Sequence, residues 1–189
     1  VGSEMCIRDR SYSTLNGGCI VFNGVDNYAY VPSPSLMSGT KVFTFSCWVN
    51  LTSLTGNFGG LGKAAWLFAG GTSTGEGQPE LGIISASDSS NTPDTLRFER
   101  GSGGNIGSCL VPVSSLLNNG SWYQIVLVRS DTSTQVVYLN GGQIGIGNVS
   151  NSFSDGQTNF GCINNNLNYS GFLNGKISNI LIYNRALSQ

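Results

Sequence analysis

Histidine is absent from all 189 residues. Its absence removes the Ser-His-Asp and Cys-His arrangements of nucleophilic catalysis and every zinc site that uses imidazole. Charge is scarce as well. Asp, Glu, Lys and Arg make up 10% of the chain, against about a quarter in ordinary soluble domains. Nine basic and ten acidic residues leave a net charge of −1. The basic residues form no cluster that could follow a phosphate backbone, so nucleic acid is a poor partner. No apolar run approaches the roughly 20 residues of a membrane-spanning helix, so membrane insertion is not expected. The cysteines show no C-x-x-C spacing, which disfavours zinc and thioredoxin-like redox chemistry.

What is abundant points to strands. Glycine, at 27 residues, is well above average, and no long stretch repeats its apolar residues at helical spacing. Short β-branched and aromatic runs alternate instead with Gly-, Ser-, Thr- and Asn-rich turns, about every ten residues, as in all-β sandwiches and barrels. Lys41 to Asn50 is the clearest run: Phe43, Phe45, Cys47 and Val49 share one face, and Thr44, Ser46, Trp48 and Asn50 the other. Further strands are read at Cys19–Phe22, Tyr28–Pro32, Leu81–Ala86, Leu96–Arg100, Trp122–Ser130 and Gln135–Asn140, with shorter ones near Ile144 and Phe160. The closing stretch, Phe172 to Gln189, opens on Asn174-Gly175, read as a turn, and continues through Ile177, Ile180, Leu181, Ile182 and Tyr183. A final strand this apolar needs a partner. Cys19–Phe22 is the best candidate, so the first and last strands of the domain are expected side by side.

The first ten residues, VGSEMCIRDR, fit no strand or helix pattern. They resemble a translated sequencing-adaptor remnant of the kind found in assembled metagenomic data, and are set apart from the fold. Residues 11–17 are read as a linker and residues 18–189 as one domain.

Five stretches carry a family resemblance: FNGVDNYAYVP (Phe22–Pro32), FTFSCWVN (Phe43–Asn50), TLRFERG (Thr95–Gly101), WYQIVLVR with VVYLNGG (Trp122–Gly142), and FLNGKISNILIYNRALS (Phe172–Ser188). In this order they resemble the laminin-G-like branch of the concanavalin A-like superfamily. The resemblance implies an all-β jelly-roll sandwich of two antiparallel sheets. It also implies binding of glycans or proteins, often with calcium, on secreted, cell-surface or virion proteins.

Candidate site residues follow from chemistry. Asp26 and Asn27, after the Asn23-Gly24 turn, could give oxygen ligands to calcium, although the family pattern usually has two acids there. The same Asp26 could simply cap the turn. Trp66, Tyr169 and Phe58 lie in or beside Gly- or Asn-rich segments where an aromatic could stack on a sugar. Asn164, Asn165, Asn166 and Asn168 could supply amide hydrogen bonds. The competing reading folds each aromatic onto the sandwich rim, and Trp48 and Trp122, on strong strands, are read as packing residues. Cys47 reads as a small buried thiol; Cys19, Cys47, Cys109 and Cys162 allow three disulfide pairings that spacing does not separate. Glu76 and Glu80 are close acids in a Gly-Pro segment. The E-x-D-x-x-E strand motif of laminarinase-type glucanases occurs nowhere, so no enzyme is expected. The expectation is a non-catalytic module for a carbohydrate or glycoprotein, within a larger extracellular, surface or virion protein. The alternative is a structural or protein–protein domain of a tail fibre, capsid or adhesin.

Overall fold

The computed structural model describes residues 6–8, 11–14, 18–32, 42–52, 64–70, 79–84, 95–100, 109–112, 116–131, 134–148, 157–165 and 168–188. Every regular element among them is a strand. The chain begins with β1 (Cys6–Arg8), β2 (Ser11–Ser13), β3 (Cys19–Asn23), β4 (Tyr28–Val31) and β5 (Phe43–Leu51). Then come β6 (Ala64–Gly70), β7 (Pro79–Ile84), β8 (Thr95–Arg100), β9 (Cys109–Pro112) and β10 (Trp122–Arg129). It ends with β11 (Thr134–Leu139), β12 (Gly142–Asn148), β13 (Thr158–Phe160), β14 (Ile163–Asn165), β15 (Asn168–Ser170) and β16 (Asn174–Tyr183).

Two antiparallel sheets of seven strands each form the sandwich. One runs β1-β4-β13-β6-β7-β8-β9 and the other β12-β11-β10-β5-β16-β3-β2; β14 and β15 make a separate hairpin. The alternation of β5 sets the core. Phe43, Phe45, Cys47 and Val49 are all fully buried, with Leu127 opposite Phe45, Ile125 opposite Cys47 and Ile177 opposite Val49. The other sheet contributes Phe68, Leu81, Ile83, Leu96 and Phe160. Phe45 stacks on Phe68 across the interface, ring centroids 4.7 Å apart. Each such ring contributes about 1.5–3 kcal/mol by burial, so a largely apolar inner face sustains a sandwich with so few charges. It also encloses Arg129 and Gln135, register partners on β10 and β11 and both fully buried.

The first and last strands of the domain pair as expected, Phe22 opposite Gly175 and Ile20 opposite Ile177. Asn140 and Gly141, both at positive φ, make the tight β11–β12 turn. The Asn140 side chain also accepts the Gln124 N–H at 2.9 Å, tying that turn to β10.

Three expectations require correction. Asn174-Gly175 is no turn: both residues lie inside β16, paired with Asn23 and Phe22. Glycine stands there because a Cβ would collide with the Asn50 carbonyl oxygen. Second, residues 11–17 are not wholly a linker, since Ser11–Ser13 pairs with Cys19–Val21 at the edge of one sheet. Third, Cys6–Arg8, where no strand pattern is read, pairs with Tyr28–Tyr30 at the edge of the other. Edge pairing uses backbone groups that any sequence carries, so it needs no side-chain pattern.

Candidate functional site

The outward face of the β5-centred sheet carries the strongest site. On β10, Tyr123, Ile125 and Leu127 turn inward, so Trp122, Gln124, Val126 and Val128 turn outward. The register sets Trp122 opposite Asn50 and Gln124 opposite Trp48. Trp48 and Trp122 are therefore diagonal neighbours on one face, within reach of large rings. Trp48 is 37% exposed, and it stands out among residues otherwise packed into the sandwich. This corrects the reading of both tryptophans as packing residues. The sequence signal was present, because Trp48 alternates with Thr44, Ser46 and Asn50, the polar set.

The third wall comes from β16. Ser178 lies opposite Trp48 and Leu181 opposite Ser46, so Asn179 and Ile180 together face a single residue, which is a β-bulge. Asn179 takes up the bulge at φ 50°, a left-handed conformation that Asn tolerates better than other non-glycine residues. Ser178 is held by its hydroxyl, which donates to the Gly18 carbonyl at 2.6 Å. Trp48, Trp122, Ser178 and Asn179 line a cleft of about 290 Å³. Two aromatic faces, an exposed amide and a fixed hydroxyl make up its chemistry.

A second groove of about 280 Å³ lies on the same face, reaching from Ser46 and Gln124 to Tyr138 and Tyr183. Its far wall is the chain after β16. Thr44 donates through Oγ1 to the Arg185 carbonyl and accepts the Leu187 N–H, both at 2.9 Å. This explains why Thr44, on the polar side of its strand, is only 1% exposed. Among the described residues no Asp, Glu, Lys or Arg lines either depression.

The residues expected from sequence lie elsewhere. Trp66 is on strand β6, opposite Gly82, not in a loop; its side chain is outside the described residues, as are Phe58 and Asn166 altogether. Asn164 and Tyr169 are brought together as register partners of the β14–β15 hairpin, and Asn165 pairs with Asn168. Asn164 is buried at 3% exposure. Tyr169 stacks on Tyr28, centroids 4.2 Å apart, and its hydroxyl is 3.5 Å from Gln157 Nε2. One ring face is thus occupied by the protein itself, the rim-packing arrangement. Glu80 lies in β7, opposite Glu99 of β8, at positions alternating with buried Leu81 and Ile83. Glu76 is outside the described residues.

At the first turn, Asn23 Oδ1 accepts the backbone N–H groups of Val25, Asp26 and Asn27 at 2.9, 3.2 and 3.3 Å. Asp26 Oδ1 receives the side-chain amides of Asn23 at 2.8 Å and Asn27 at 3.4 Å. Calcium needs several free hard oxygens. Here the Asn23 oxygen serves the backbone, and amide hydrogens already face the Asp26 oxygen. The arrangement suits turn capping.

Cys19, Cys47 and Cys162 are buried free thiols. Burial pushes the Cys47 thiol up to about 12 and raises Cys162 as well, so both stay protonated and unreactive at neutral pH.

Residues 23–189 match the Laminin_G_3 family of the concanavalin A-like lectin/glucanases superfamily, and the chain belongs to that family. No curated protein matches it in sequence. Among solved structures it is similar to domain 4 of AbnA, an extracellular GH43 arabinanase from Geobacillus stearothermophilus solved with arabinotriose. The identity is 17% and the TM-score 0.68, over 97% of this chain and 84% of that one. It is also similar to the heptameric SAP-like pentraxin of Limulus polyphemus, at 16% identity and TM-score 0.61, over 90% of this chain and 77% of that one. A third similarity is to the botulinum neurotoxin serotype D binding domain. There the identity is 13% and the TM-score 0.71, over 98% of this chain but 44% of that one. These likenesses establish the jelly-roll fold. Among the described residues no helix is long and apolar enough to cross a membrane.

Proposed function

We propose that this domain is a non-catalytic recognition module that binds carbohydrate through the Trp48–Trp122 cleft. The observation that carries the reading is the cleft itself: two tryptophans on the solvent side of a rigid sheet, flanked by Ser178 and Asn179. Indole faces stack on the apolar C–H faces of sugars, while an amide and a hydroxyl meet sugar hydroxyls. Strands hold such groups more rigidly than loops do. The arabinanase domain solved with arabinotriose supports a sugar as the ligand. The module is proposed to serve a larger secreted, cell-surface or virion protein, with a glycan or glycoprotein as partner. Calcium is not needed in this reading.

A glycan array probed with the full chain tests it, with Trp48→Ala and Trp122→Ala alongside. Binding to a related set of sugars, lost in both variants, is the expected result. Silence from a folded, monodisperse sample would overturn the reading. Leu181, 47% exposed, and Ile146, 62% exposed, on the same sheet favour a second reading, a protein-docking face of a structural module. Self-association in solution would support that second reading.

A further inference from the structure

We propose that the tryptophan cleft and the neighbouring groove are two subsites of one track, and that the ligand is an uncharged linear oligosaccharide laid along the strands. The proposal rests on the carbohydrate reading of the cleft and specifies its substrate class. Continuity is the first argument. The cleft is bounded by Trp48 and Trp122, and the groove begins at Ser46 and Gln124, the next outward residues on the same two strands. The register makes these four positions one contiguous patch. From Trp122 to Val128 the strand rises about 20 Å, at roughly 3.4 Å per residue, which is too long for a single sugar ring.

Composition along the track is the second argument. Aromatic rings recur along it: Trp48 and Trp122 stand at one end, Tyr138 flanks the middle, in one row with Val126, Ser46 and Leu181, and Tyr183 stands at the other end, with Gln124 and Ser46 as the hydrogen-bonding groups among them. Rings spaced by hydrogen-bonding groups suit a chain of sugars, in which apolar faces and hydroxyls recur. The tail pinned to Thr44 gives the groove a raised far wall, which makes it a channel and not the flat surface that sheet-on-sheet packing requires.

Charge is the third argument. Among the described residues of the lining none is acidic or basic, and Lys176, opposite Asn50, is not one of them. A carboxylate or sulfate within the lining would lose solvation with no counter-ion there, which is costly. The channel therefore selects neutral glycans over charged ones.

The test is calorimetric titration of the full chain with arabino- and gluco-oligosaccharides of increasing length. Affinity is expected to climb from the monosaccharide until both subsites are covered, then level off. Tyr138→Ala and Tyr183→Ala should each weaken the longer ligands about five- to tenfold and leave the shortest unaffected, whereas Trp48→Ala should weaken all of them. Affinity should be unchanged by salt between about 0.01 and 1 M, where the Debye length falls from about 30 to 3 Å. Affinity independent of length, or insensitive to both tyrosines, would overturn the track while leaving the tryptophan cleft as a single site. A preference for charged glycans with steep salt dependence would overturn the neutral ligand. Failure of every sugar in a folded sample, or burial of this face in a dimer, would overturn the carbohydrate reading with it.

Discussion

A Cβ at position 175 would meet the Asn50 carbonyl oxygen and lie 3.2 Å from the Leu51 Cα. Neither is a side-chain atom that can swing aside. Gly175→Ala should therefore lower stability by about 1–3 kcal/mol, or roughly 3–10 °C in melting temperature at this size. A variant melting with the wild type would show that β5 and β16 approach less closely. At Cys47 the folded thiol is raised to about 12 from an ordinary 9.0. Its folded pKa lies above its unfolded one, so its contribution is complete below about pH 9 and declines from there toward pH 12. Stability should be flat near neutrality and fall above pH 9, less steeply in Cys47→Ala, as pH-dependent melting would show. Asp26 gives a third residue-scale prediction. Its turn holds itself through Asn23 and Asn27, so melting in calcium and in chelator should coincide. A calcium site filled at a hundred times its Kd would add about 2.7 kcal/mol, and a shift of several degrees in calcium would contradict the capping role.

The decisive element is β16, and its bulge is where sequence reasoning ran out. Alternation in Phe43–Asn50 made β5 legible, and the apolar run Ile177–Tyr183 made the closing strand and its pairing with Cys19–Phe22 legible. A bulge, however, is a count against a partner strand, and one strand read alone does not contain it. Asn174-Gly175 misled for a related reason: the dipeptide favours a turn, but a glycine needed for close approach to another strand looks the same. Trp48 and Trp122 were recognised as strand residues, yet strand membership does not say which sheet face stays open to solvent. The bulge predicts a separation of effects. Asn179→Gly keeps the left-handed backbone and removes the amide, so stability should change by less than about 0.5 kcal/mol while glycan affinity falls several-fold. Asn179→Ala removes the amide and adds about 1–2 kcal/mol of backbone strain. Equal affinities for wild type and Asn179→Gly would remove that amide from the site.

For the whole molecule, the division of labour runs between the two faces of one sheet. The inner face of β5 and β10 is apolar apart from the buried Arg129 and is closed over by Phe68 and Phe160, which gives rigidity. The outer face of the same strands carries Trp48, Trp122, Ser46, Gln124, Val126 and Val128 and no charge. Phe45→Ala, inside, should cost about 3–5 kcal/mol; Trp48→Ala, outside, should cost much less stability and most of the binding. The chain has three tryptophans, at 48, 66 and 122, so the location of the site has a direct readout in the three indole N–H resonances of the ¹⁵N-labelled protein. With peaks assigned by single Trp→Phe variants, titration with a bound neutral oligosaccharide should shift those of Trp48 and Trp122 and leave that of Trp66 in place. A shift of Trp66 alone would contradict the account and move the site to the other sheet.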